Sequence, residues 1–256
     1  MGGDEESLGR AALSEAQAAA AAVALRRWAD FPASADVRPV VLLGGPILCR
    51  GFSTGVAKGA YMMGRVNADP GVPDEPVEHL RQVRQLQPND GVPPLRVLRA
   101  SPSVARFPTD RGRMDLPAWR VEAVDAIEPI WVLSDEARRR CWRSPSEPGE
   151  GWPHAGYPVW AGVTDLDGLG LSADFTGGIH PGFRYQLLAL ESETAVVVLP
   201  VVLPSPEGRS GFVPARGDAH HGHVRLSRPL GSRVVVNLDA SPVSVTDERA
   251  AAAPTP

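Results

Sequence analysis

Cysteine is nearly absent from this sequence: only Cys49 and Cys141 occur among 256 residues. Neither lies in a C-x-x-C pair, so neither a dithiol redox motif nor a thiolate zinc site is indicated. The two show no spacing typical of a disulfide framework. Lysine is scarcer still. Lys58 is the only lysine among 26 basic residues, and the rest are arginine. Together with the load of Ala, Gly, Pro and Val, this reads as the coding bias of a GC-rich genome. No excess of positive charge exists, since the formal charge is −4 and the pI about 5.9. That balance argues against nucleic acid or an anionic membrane as an obligatory partner. Long apolar runs are missing too. The stretch AQAAAAAVAL (16–25) is mostly alanine and far shorter than the ~20 apolar residues that span a bilayer. The start, MGGDEESLGR, lacks the basic-then-apolar order of a secretory signal, and Glu6 breaks the myristoylation pattern. These features predict no transmembrane span and a cytoplasmic location as written; a leader beyond this sequence would make it an envelope protein.

Turn formers are abundant. Gly and Pro number 26 each, which predicts many short elements. With 43% hydrophobic and 22% charged residues, the chain has the composition of a globular protein of one or two domains.

The pattern divides into five sections. Residues 1–36 hold an Ala-rich helix (5–29) and a linker, with acids at the helix start, Arg26 and Arg27 in its last turn, and Pro32 beyond it. Residues 37–137 form an α+β section. It comprises a short strand at 37–43, a Gly-interrupted helix over 53–66 and an amphipathic helix in which Val77, Leu80, Val83 and Leu86 recur every three residues. Strands follow at 95–99, 104–107, 118–124 and 130–133; in the third, Trp119, Val121 and Ala123 alternate with polar neighbours. Residues 138–160 are a Pro- and Arg-rich loop or linker. Residues 161–246 read as an antiparallel β section, with strands at 169–175, 185–190, 195–203, 223–227 and 233–238. Residues 247–256 read as a disordered tail. The fold class expected is α+β: N-terminal helices with a β-rich antiparallel body, the two β sections suggesting a loose duplication.

Most catalytic motifs fail on spacing. G-F-S-T-G-V-A-K (51–58) has a lysine but not the P-loop spacing, and Gly59 stands where a hydroxyl is needed. No G-x-G-x-x-G opens a helix and no G-x-S-x-G elbow occurs. R-R-R-C-W-R (138–143) surrounds Cys141 with positive charge that would lower its pKa. Asp165 and Asp167 sit in a D-L-D-G turn, where structural duty suffices.

The densest chemical signal is D-A-H-H-G-H (218–223), which holds three of the six histidines. In a strand with Val224 and Leu226 inward, His221, His223 and Arg225 point to the other face, where two imidazoles can share an ion. The candidate metal ligands are Asp218, His220, His221 and His223, with His180 as a distant fifth; zinc is the cofactor such a set would take. Arg225 opposes a dication on that face.

Segments spread over residues 50–245 resemble a large group of uncharacterised actinobacterial envelope-type proteins. They are F-P-T-D-R-G (107–112), L-P-A-W (116–119), F-T-G-G (175–178), E-S-E-T-A-V-V-V (191–198) and V-R-L-S-R-P-L-G-S-R-V-V-V (224–236). The resemblance implies no established activity. Members often carry a cysteine after the Gly-Gly turn and another before the V-R-L strand. This chain has I-H-P-G (179–182) and A-H-H-G-H (219–223) instead, so histidines stand where the resemblance implies a bridge.

The leading expectation is a non-enzymatic binding or structural module. The alternatives are a metal-binding protein, extending to a metal-dependent hydrolase, and a protein that self-associates through its Ala-rich helix.

Overall fold

A computed structural model describes residues 13–83, 85–87, 89, 91–142, 159–178, 184–203 and 217–247. The start of the expected first helix, most of the 138–160 segment, His180 and nearly all of the expected tail lie outside the described residues. The protein is α+β, with a β-rich body. In chain order the first elements are α1 (Glu15–Arg27), β1 (Val40–Val41), β2 (Ile47–Leu48), α2 (Gly55–Met62), β3 (Val66–Ala68) and α3 (Asp74–Arg81). Next come β4 (Leu95–Thr109), β5 (Gly112–Ala123), β6 (Ile130–Leu133), α4 (Asp135–Arg139), β7 (Cys141–Trp142) and β8 (Val159–Thr164). The last are β9 (Gly170–Gly178), β10 (Arg184–Glu191), β11 (Ala195–Leu203), β12 (Gly217–Arg225), β13 (Val234–Val236) and β14 (Ser244–Asp247). None of the described helices is long and apolar enough to cross a membrane.

The chain divides into two units. One comprises Met1–Arg38, Asp110–Gly112 and Arg143–Pro256; the other comprises Pro39–Thr109 and Arg113–Trp142.

In the first unit, one sheet has the order β12-β9-β8-β14 and a second the order β10-β11-β13. The alternation of β9 puts Leu171, Ala173 and Phe175 inward, where they share an apolar core with Leu187, Val196 and Val198 of the second sheet. β11 is buried on both sides, from Ala195 to Val201. Its Val196 and Val198 face the shared core, so Val197 and Leu199 face the opposite way, and α1 lies against this strand. Burying each such Val or Leu contributes about 1.5–3 kcal/mol. Ser14 starts α1 with a capping box, accepting from the Gln17 amide while the Gln17 side chain accepts from the Ser14 amide. Trp28, fully buried, closes the helix. Its Nε1 donates to the Ala240 carbonyl at 2.9 Å, and its own carbonyl accepts from Thr194 Oγ1 at 2.8 Å.

Among the described residues, charge is buried in this unit at two points. Asp110 is paired with Arg38 and approached by Arg111. Both guanidiniums also donate to the 231–233 turn: Arg38 Nε to the Ser232 carbonyl, and Arg111 Nη2 to those of Gly231 and Arg233. Arg233, itself 4% exposed, bonds Glu191 Oε2 at 2.7 Å. Burial alone would raise the Glu191 carboxyl, but bonds from Ser227 and Arg233 outweigh it and hold the group below its ordinary value.

In the second unit, a five-stranded sheet has the order β2-β6-β5-β4-β3, and β1 pairs with β7. The inward set expected on β5, with Val121 fully buried and Trp119 and Ala123 partly so, packs with Ala60, Val77 and Leu80 of the helices.

Three expectations need correction. The strands expected at 95–99 and 104–107 are one strand, β4, which runs through Pro102. Because β3 pairs only with Leu95–Val97 and residues 42–43 meet β4 only at Pro108 and Thr109, the stretch around Pro102 has an open side among the described residues, where a proline costs no ladder bond. The helix expected to reach Leu86 stops at Arg81, since the amides of Gln85 and Leu86 both turn to the Met62 carbonyl. The body is also mixed rather than purely antiparallel: β1·β7, β3·β4, β11·β13 and β8·β14 are parallel pairs.

Candidate functional site

β12 pairs antiparallel with β9 in a register that sets His221 opposite Asp174, His223 opposite Ser172 and Arg225 opposite Gly170. Val224 packs against the apolar core, and period-2 alternation then turns His221, His223 and Arg225 outward, where all three are exposed. His221 Nδ1 lies 2.9 Å from Asp174 Oδ1. A carboxylate can only accept, so Nδ1 carries the proton and the neutral ring keeps its lone pair on Nε2. His223 Nδ1 lies 3.3 Å from Ser172 Oγ, and where that hydroxyl accepts, the same tautomer results.

Beside His223 the sheet carries Gly170, whose amide donates to both carboxylate oxygens of Asp165 at 2.9 Å. A Cβ at this glycine would collide with that carboxylate and stand 2.9 Å from His223 Cε1. The Asp165 carboxylate therefore fills the space beside His223 that any side chain at position 170 would take. Asp167 accepts from the Leu169 amide at 2.7 Å. That bond, helped by Asp165 and Arg225, holds its carboxyl below the ordinary aspartate value. Arg225 reaches toward it at 4.0 Å.

The strand divides the histidines singled out from the sequence. His221 and His223 share the outer face. His220 turns to the other side, between Phe175 and Tyr185 at ring-centroid separations of 5.7 and 4.6 Å. Gly177 makes room for it, since a Cβ there would stand 2.7 Å from both the His220 and the Tyr185 rings. Asp218 is exposed at the start of β12, where its Oδ1 accepts from the Ala219 amide at 2.9 Å. His180 is outside the described residues.

A second cluster lies in the other unit. Among the described residues, Glu75, His79 and Asp135 form the group of three whose ligand atoms come within 4.8 Å of one another. His79 is buried, with Nε2 at 2.8 Å from Asp135 Oδ1 and Nδ1 at 2.7 Å from Arg138 Nη1. A guanidinium can only donate, so Nδ1 accepts and Nε2 carries the proton toward Asp135. A metal-ligating histidine needs the reverse, a lone pair aimed at the ion and an N–H aimed at an acceptor. Glu75 Oε1 meanwhile accepts from the Asp135 amide at 2.7 Å, filling an orphan donor in the first turn of α4. The arrangement is that of a staple between α3 and α4. Glu75 and His79 stand four apart on one helix face, a signal present in the sequence, whereas nothing local pointed to Asp135 or Arg138.

The thiols are not activated. Burial pushes Cys141 above its ordinary value and outweighs the opposing charge of Arg138, which corrects the expectation of a lowered pKa. Cys49 is raised by burial as well. Tyr61 is pushed up to about 12, by burial first and the neighbouring Cys49 second.

No family model, curated protein or solved structure matches the chain.

Proposed function

We propose that the protein is a non-enzymatic binding module whose ligand face is the outer side of the four-stranded sheet, centred on β9 and β12. The observation that carries this reading is the pair of exposed imidazoles, His221 and His223, each met at Nδ1 by a side chain of the neighbouring strand. A solvated face needs only charge, and long flexible side chains supply it. Rings oriented by Asp174 and Ser172 instead present defined polar atoms to a ligand, with less rotamer freedom to lose on binding. The same strands fill a close-packed core on their other side, so the face rests on a rigid support.

The test is a thermal-unfolding screen of the tag-free protein against divalent metal chlorides, monosaccharides, nucleotides and short charged peptides. At 100 times Kd a ligand adds about 2.7 kcal/mol, which for a chain of this size raises Tm by roughly 5–10 °C. The expected result is such a shift for one ligand class, lost in the His221→Ala/His223→Ala double variant. A shift that survives both substitutions, or no shift with any class, overturns the reading.

A further inference from the structure

We propose that the ligand of this face is a borderline transition-metal dication (zinc, nickel or copper) held by Nε2 of His221 and Nε2 of His223. The inference rests on the outer face being the ligand face. Two residues apart on a strand, the imidazoles spring from Cα atoms about 6.5–7 Å apart on one side. Rings of that reach can turn to one ion, whose bonds to nitrogen would be ~2.0–2.1 Å. The Asp174 carboxylate, 2.9 Å from His221 Nδ1, supplies the outer contact that metal-ligating histidines use. It fixes the tautomer and directs the lone pair to Nε2. Ser172 stands in the matching place for His223.

Asp165 lies over Gly170, in the space a side chain there would take and on the side of His223, but with the two imidazoles it makes no group of three ligand atoms within 4.8 Å. Water would fill the positions that the two imidazoles leave. Nitrogen donors select this class of ion over calcium or magnesium, which take oxygen shells. The Glu75–His79–Asp135 trio does not compete, because Arg138 occupies His79 Nδ1 and leaves the proton on Nε2.

Arg225, on the same face, opposes the ion. Its guanidinium leans to Asp167 at 4.0 Å, which offsets part of that charge. Removing it should therefore strengthen binding.

The experiment is calorimetric titration of the tag-free 256-residue chain with zinc and nickel chlorides, with magnesium as control. Alongside it, copper(II) is titrated while the imidazole resonances are followed by NMR. The expected result is one ion per chain, no response to magnesium, and copper broadening of the His221 and His223 rings before those of other histidines. Affinity should fall at least tenfold in either His→Ala variant and roughly tenfold in Asp174→Asn, at the lower end of the 10–100-fold range for such outer contacts. It should rise two- to fivefold in Arg225→Gln at low ionic strength. The variants sit on an exposed face, and unchanged circular dichroism confirms that they fold.

Undiminished affinity without His221 and His223, or a loss in Glu75→Gln instead, overturns the assignment. So does the absence of saturable zinc or nickel binding. If sugars, nucleotides or peptides still gave a stabilisation dependent on the two histidines, the binding-face reading would stand and the metal alone would fall.

Discussion

The buried carboxylate of Asp110 makes the sharpest stability prediction. Its side chain is 2% exposed and lies between Arg38 at 17% and Arg111 at 32%. Besides the Arg38 Nη2 contact, Arg38 Nη1 approaches Oδ1 at 3.4 Å. Asp110→Ala removes the anion and leaves two guanidiniums facing each other. Burial and the charge of Arg38 already hold the Arg111 pKa below its ordinary value against the opposing charges of Asp110 and Asp247, so losing Asp110 leaves the guanidiniums' repulsion offset less. Breaking one side of a buried ion pair costs about 3–5 kcal/mol. The lower end applies here, because both guanidiniums keep carbonyl acceptors in the 231–233 turn. A loss of about 3 kcal/mol corresponds to a fall in Tm of roughly 6–12 °C. Urea unfolding followed by circular dichroism reads it directly. Adding Arg38→Met to Asp110→Ala should recover at least about 1 kcal/mol, since contacting residues couple by ~0.5–3 kcal/mol. A loss under ~0.5 kcal/mol, the range of ordinary surface substitutions, with no recovery in the double variant, would refute the reasoning.

Three further outcomes follow from the geometry. Glu191 is held below its ordinary value of 4.5, so its contribution is complete above that pH and disappears as pH falls through the lowered native value. Glu191→Gln should flatten the acid limb of the stability–pH curve, and an unchanged limb would count against the pair. Gly170→Ala drives a methyl into Asp165 and against His223; urea unfolding should show a loss of about 1–3 kcal/mol, as for other overpacked sites, and a neutral result would mean that the space is looser than described. Cys141, half-buried with its thiol pushed up and its Sγ donating to the Ala137 carbonyl at 3.3 Å, should alkylate with iodoacetamide more slowly than glutathione at pH 8, and faster reaction would contradict the burial.

How much of this was legible in the sequence depends on the range of the interactions. β6 (Ile130–Leu133) and β11 (Ala195–Leu203) coincide with their expected bounds, because each is an unbroken apolar run closed by turn residues. The outward placement of His221 and His223 was also legible, since Val224 and Leu226 fix the parity of the strand. What no local pattern carries is register. That Asp174, rather than another acid, meets His221 depends on how β9 pairs with β12, 47 residues away. The parallel pairs β8·β14 and β11·β13 are hidden for the same reason. α4 was missed although Ser134 caps it through the Ala137 amide, because five residues are too few to show a helical period. The two β sections suggested a duplication, and they fold with different strand orders.

Which ring nitrogen of His221 is open to a ligand is read most directly by long-range ¹H–¹⁵N correlation of the imidazoles. His221 should be protonated at Nδ1 and unprotonated at Nε2, and one equivalent of zinc should shift the Nε2 resonances of His221 and His223 while leaving those of His79 in place. A His221 ring protonated at Nε2, or a zinc response confined to His79, would contradict the assignment.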